Sequence, residues 1–86
     1  MKAIKTRSGF EVDIDAAVLD DMELVDALAE LEDNPLAFSK VITMILGDEK
    51  KRLYDHIKTT RKSDRVSVTA MSEEIEDILN GLNSKN

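Results

Sequence analysis

The sequence predicts a mainly α fold, about four helices packed around a central apolar helix, with a small β-hairpin at the N-terminus. Three observations predict it. Polarity alternates in two short runs before residue 15, and apolar residues then recur at helical spacing in four segments. The third is the placing of the breaks, at Asn34-Pro35, at Gly47 and across Thr59–Arg65. With 86 residues, 42% of them hydrophobic and 35% charged, the chain is too apolar for intrinsic disorder and the right size for a single domain over 1–86. Within it the hairpin is expected at 1–15, the helices at 16–82 and a frayed tail at 83–86.

In the hairpin, Ile4 and Thr6, then Phe10, Val12 and Ile14, fall on one side of two extended runs separated by Arg7-Ser8-Gly9. Gly9 supplies the positive φ that such a turn needs, and because an isolated hairpin is marginal in water, the helices downstream are expected to support it. From about Ala16 to Asp33 one helix is expected, with Leu24, Ala27, Leu28 and Leu31 on one stripe and Val18, Met22, Val25 and Ala29 on a second. One stripe can serve the core and the other either a partner or a second helix of the same chain. Met22, Val25 and Ala29 are the candidate protein-binding residues.

Asn34-Pro35 ends that helix and starts the next, since proline disfavours α conformation in the residue before it and suits the first helical position, with Asn34 as cap. Leu36–Leu46 is apolar nearly all round, with Lys40 its only charge, and is expected to be the most buried helix. Gly47 is its natural C-terminal cap, and Asp48 opens a third helix, shorter and more polar, that points Leu53, Tyr54 and Ile57 inward. Thr59–Arg65 has no periodicity and reads as an exposed loop. A last helix from Ser67 to Leu82 carries Val68, Met71, Ile75, Ile78, Leu79 and Leu82 on one stripe, leaving Glu73, Glu74, Glu76 and Asp77 elsewhere, with Glu73 and Asp77 on the solvent side.

Composition narrows the chemistry. No cysteine is present, so disulfides and thiolate metal sites are excluded and an intracellular, cytoplasmic location is expected. Met1-Lys2-Ala3-Ile4-Lys5 leads into no long apolar stretch, so neither a signal peptide nor a membrane span is expected. His56 is the single histidine; it cannot form a histidine metal cluster and is expected at the rim of the third helix. Asp13-Ile14-Asp15 resembles the start of a calcium loop, but Ala17, Val18 and Leu24 stand where that loop needs a ligand, Gly and Glu. The three glycines are far apart, each with a turn or helix-end role, and make no phosphate loop. No catalytic site, cofactor or metal is expected.

Charge is asymmetric. Ten acidic side chains and no Lys or Arg occupy Glu11 to Asp33, whereas seven basic residues face four acidic ones from Asp48 to Arg65. A local surplus of three cations, in a chain of net charge −6, argues against nucleic-acid binding and for a solvated face or a docking patch. The two signs make a homo-oligomer plausible.

The order of segments resembles the small tail assembly chaperones of long-tailed, siphovirus-type phages and prophages of Gram-positive bacteria. The likeness rests on Ser8-Gly9-Phe10-Glu11-Val12-Asp13-Ile14-Asp15, on Leu19-Asp20-Asp21-Met22-Glu23-Leu24 entering Ala27-Leu28-Ala29-Glu30-Leu31, and on the Asn34-Pro35 break before an apolar helix. It extends to Leu46-Gly47-Asp48-Glu49, Arg65-Val66-Ser67-Val68 and Met71-Ser72-Glu73-Glu74-Ile75. Lys62-Ser63-Asp64 departs from it, standing where a tight glycine-containing turn is expected. The resemblance implies a bacterial cytoplasmic protein, absent from the mature virion, that binds and solubilises the tape-measure protein and helps recruit tail-tube subunits. The alternative from charge alone is an acidic inhibitor or antitoxin-like module that blocks a basic, nucleic-acid-binding partner.

Overall fold

The computed structural model describes residues 1–84. Alternation in the first fourteen residues produces β1 (Lys2–Lys5) and β2 (Glu11–Ile14), paired antiparallel with Ile4 opposite Val12 and Lys2 opposite Ile14. The Gly9 amide donates to the Thr6 carbonyl (2.9 Å) and the Thr6 amide to the Phe10 carbonyl (2.9 Å), closing a three-residue loop. Gly9 takes φ +94°, the left-handed position such loops require. Ile4, Thr6, Phe10, Val12 and Ile14 all point into the core, as the alternation predicts.

The segment 16–33 departs from the expected single helix. Ala16–Asp20 is a 3₁₀ turn, Asp21 is extended (φ −124°, ψ 112°), and only then does α1 (Met22–Glu30) begin. The reason is a pair of competing caps. The Asp15 carboxylate accepts from the Ala17 amide and that of Asp21 from the Glu23 amide (both 2.9 Å), so each aspartate starts a new helical turn instead of continuing an old one.

The chain breaks at Asn34-Pro35 as predicted, but the helix starts later than expected: Asn34 Oδ1 accepts from the Leu36 amide (3.2 Å) in a tight turn, Pro35 lies in that turn and not at the first helical position, and α2 (Ala37–Leu46) is preceded by Leu36 without a side-chain capping bond. Ala37, Val41, Ile42, Ile45 and Leu46 of α2 are buried, while Leu36 lies outside the helix and is 84% exposed. Gly47 (φ +53°) ends α2, its amide donating to the Thr43 carbonyl (2.8 Å).

Next comes α3 (Glu49–Arg61), and at thirteen residues it is longer than α1 and α2, so it is not the short helix expected. Asp48 precedes it without a side-chain capping bond. Thr59, Thr60 and Arg61 are helical, not loop. They show no periodicity because α3 lies on the surface and buries only Leu53 and Ile57, leaving its last turn polar all round. The helix closes on Lys62, which takes the left-handed conformation (φ 51°, ψ 49°). The Ser63 amide reaches the Lys58 carbonyl (3.0 Å) and the Lys62 amide the Thr59 carbonyl (3.3 Å), a Schellman closure built without glycine.

Ser67 caps α4 (Val68–Leu82), its hydroxyl accepting from the Ala70 amide (3.1 Å). The buried face of α4 is turned from the expected stripe toward Ala70 and Glu74, which are buried, and leaves Val68 71% exposed. The hairpin causes the turn, since it packs on that side of α4. Gly81 belongs to the contact, for a Cβ there would stand 2.8 Å from Ile4 Cδ1.

One continuous apolar cluster takes side chains from the hairpin and from all four helices, with Leu24, Val41, Leu53 and Ile78 fully enclosed. The molecule measures 36 × 33 × 19 Å, a slab two layers thick with helix diameters of about 10 Å. In the tail expected to fray, Asn83 donates to the Leu79 carbonyl (3.0 Å) and the Ser84 carbonyl accepts from Lys2 Nζ (2.6 Å); residues 85–86 lie outside the described residues. Among the described residues no helix is long and apolar enough to cross a membrane.

Candidate protein-docking surface

The capping by Asp21 sets the register of α1. Leu24 and Ala27 turn to the core and Leu28 packs against it, which directs Met22, Val25 and Ala29 outward. Met22 is 66% exposed, Val25 46%, and Ala29 is exposed beside them. These three are therefore an open apolar stripe at i, i+3 and i+7, and no other helix among the described residues covers them.

Glu23, Asp26 and Glu30 occupy the remaining face of α1, all exposed. Of the ten acidic side chains from Glu11 to Asp33, only Glu11 stands within ion-pair distance of a cation among the described residues, Lys5 at 3.9 Å. The acidic side of the molecule is unneutralised.

A second apolar surface was not anticipated from the sequence. Phe38 and Ile42 of α2, Tyr54 of α3, and Val66, Val68 and Met71 line an open groove of about 460 Å³. Leu36 stands at its edge. Leu36 and Val68 gave no signal of exposure because both sit inside apolar runs that read as core stripes; only the placing of the helix starts, after Leu36 and at Val68, turns them out.

Cations of α3 divide into used and unused. Arg52 bonds the Glu49 carboxylate and the Glu11 carbonyl and lies 4.5 Å over the Phe10 ring, and Arg61 meets Glu73 at 3.5 Å. Lys50 donates to Thr43 Oγ1 (3.1 Å) and sits 5.9 Å over the Tyr54 ring. Lys51, Lys58, Lys62 and Arg65 are exposed with no acidic partner within ion-pair distance among the described residues.

Where the hairpin meets α4, polar groups gather instead. Glu74 is buried, and its Oε1 accepts from Thr6 Oγ1 (2.7 Å) and from Ser8 Oγ (2.9 Å). Ser8 Oγ also lies 3.0 Å from Nε2 of His56, whose ring leans on Phe10 with centroids 5.4 Å apart. Ser, His and Glu together suggest a hydrolytic triad, but the polarity is reversed. The Ser8 hydroxyl donates to the carboxylate, so the carboxylate orients the serine instead of the imidazole. The cluster is a latch between distant parts of the chain. His56 stands half-buried at the rim of α3, as expected.

Asp77 corrects another expectation. Its side chain is only 12% exposed and receives the Arg7 Nε at 3.0 Å and the Arg7 amide at 3.0 Å. The side-chain hydrogen bond from Arg7 holds its carboxyl below the ordinary value against the opposing effect of burial, and the same bond raises Arg7. Glu73, which the sequence paired with Asp77, is exposed and meets Arg61.

Among the described residues no three His, Cys, Asp or Glu side chains are grouped to hold a metal ion. The chain matches no known protein family, no curated protein and no solved structure.

Proposed function

We propose that this chain is an assembly chaperone that covers an apolar helical surface on another protein, and that the partner is the tape-measure protein of a long phage tail, around which it helps recruit tail-tube subunits in the bacterial cytoplasm. The observation that carries the reading is the exposed stripe Met22, Val25 and Ala29 beside an unneutralised acidic face. Apolar anchors at i, i+3 and i+7 suit contact with a helix, and clustered exposed apolar surface on a small protein marks an interaction site. The acidic face keeps the resulting complex apart from its neighbours by charge repulsion. The phage assignment itself rests on the segment order described above. This role needs no catalytic group and no cofactor.

Co-expression with a tape-measure protein of a long-tailed phage tests the reading. The partner is expected to become soluble and to co-purify, and Val25→Asp with Ala29→Asp is expected to abolish the complex while the variant keeps the wild-type helical content. An insoluble partner, or a complex indifferent to both substitutions, overturns it. Mass spectrometry of purified phage particles is expected to lack this chain.

The run from Asp13 to Asp33, with no cation in ion-pair range among the described residues, favours a second reading: an acidic inhibitor of a basic, nucleic-acid-binding protein. Tight binding to such a protein, lost when Glu23, Asp26 and Glu30 become Gln, is its signature.

A further inference from the structure

We propose that the groove between α2, α3 and α4 receives α1 of a second copy of this chain, so that copies associate head to tail. The groove and the stripe match in chemistry. The groove offers Phe38, Ile42, Tyr54 and Met71, with Val68 71% exposed at its edge, and α1 offers Met22, Val25 and Ala29 at the spacing by which an amphipathic helix fills an apolar groove.

Charge adds direction. The wall made by α3 and the connection to α4 is cationic. Lys50 sits over the Tyr54 ring, Lys58 lies one turn beyond Tyr54, and Arg65 precedes Val66; the last two have no acidic partner in ion-pair range among the described residues. The incoming α1 carries Glu23, Asp26 and Glu30 along the flank of its stripe, with no cation in ion-pair range among the described residues. Glu32 and Asp33 immediately precede Pro35, which lines the groove, so like-charge repulsion there favours an occupant whose acidic flank faces α3. A chain cannot fill its own groove in this way. Leu24 and Ala27 bind α1 to its own core, with the stripe turned away.

Stripe and groove are different surfaces, so the contact is heterologous, and copies form a ring or an open helical array rather than a two-fold dimer. The inference holds whatever the partner is. Because the stripe serves both contacts, a bound partner and a neighbouring copy compete for it.

Sedimentation velocity from micromolar to millimolar concentration reads the association. Wild-type protein is expected to grow beyond a dimer, and to do so less at high salt. Val25→Asp spoils the stripe and Val68→Asp the groove. Each variant alone is expected to remain monomeric with wild-type circular dichroism. Mixed in equal amounts they are expected to form a 1:1 dimer, through the intact stripe of one and the intact groove of the other. A wild-type protein monomeric throughout, either variant still associating, or a mixture that stays monomeric overturns the proposal. Failure of the proposed function looks different: a wild type that self-associates but leaves its partner insoluble removes the chaperone reading alone. Conversely, Val68→Asp is expected to retain partner binding, since it leaves the stripe whole.

Discussion

The hairpin and α1 are both short elements laid on the same core, but they are held in different ways. The hairpin is tied to α4 by polar bonds that span most of the chain: Thr6 and Ser8 to Glu74, Arg7 to Asp77, and Lys2 to the Ser84 carbonyl. The side chains of α1 make no hydrogen bond or ion pair to any other element among the described residues; their attachment is the burial of Leu24, Ala27 and Leu28. Directional polar bonds fix a geometry, whereas apolar contact tolerates sliding and exchange of partners. The difference teaches where the molecule keeps its shape and where it has surface to share. The latched half is the scaffold, and the unlatched helix carries the exposed stripe.

The largest effect expected from breaking this arrangement is at Leu24. It is 1% exposed and is the larger of the two fully buried anchors of α1, so Leu24→Ala is expected to cost about 3 kcal/mol in denaturant unfolding. Hydrogen exchange sharpens the comparison, because α1 amides are expected to lose protection well before those of α4. Equal loss in both helices would mean that the two regions open as one unit. Next in size is the latch. Glu74→Ala leaves the buried Thr6 hydroxyl without its acceptor, removes that of the exposed Ser8 as well, and is expected to cost about 2 kcal/mol, while Glu74→Gln, which keeps a carbonyl there, loses less. Equal losses in the two variants would show that the charge, not the acceptor, holds the hairpin.

What was legible in the sequence follows the same division. The hairpin could be read because alternation with a glycine in the loop admits few other structures, and α2 because an apolar run between Pro35 and Gly47 has its ends marked. The exposure of Met22 and Val25 was visible as a surplus stripe. Glu74 was not: a carboxylate on a helix reads as solvent-facing unless its partners are known, and Thr6 and Ser8 lie 68 and 66 residues away. The groove was hidden for a related reason, since it is made by four separate segments, none of which has an unusual pattern of its own. The break at Asp21 was missed because two adjacent aspartates fit a helix surface as well as they fit a cap.

A smaller effect, opposite in sign, is expected at Lys62. A residue with a Cβ held at φ 51° is strained where glycine is not, and the exposed Lys62 side chain makes no compensating bond among the described residues. Lys62→Gly is expected to raise unfolding stability by about 1 kcal/mol despite the extra freedom glycine gives the unfolded chain. No gain would mean that the Schellman closure is already relaxed, and that the path from α3 to α4 is set by Ser63, whose hydroxyl accepts from the Arg65 amide at 3.1 Å.

The weakest expected effect tests whether the latch is electrostatic as well as hydrogen-bonded. Arg7 depresses the Asp77 carboxyl below its ordinary value, so folding favours the ionised form. A group depressed in the folded state contributes stability that is fully present above its unfolded value, at about pH 4, and is lost as the pH falls through the lower folded value. Wild-type stability is therefore expected to decline below about pH 4 more steeply than that of Asp77→Asn, the two curves converging at the acid end. The difference stays small because Arg7 is 73% exposed and solvent screens the pair, and added salt is expected to narrow it further. Parallel curves would leave the bonds from the Arg7 amide and Nε to Asp77 as contacts that hold the hairpin without a net charge effect.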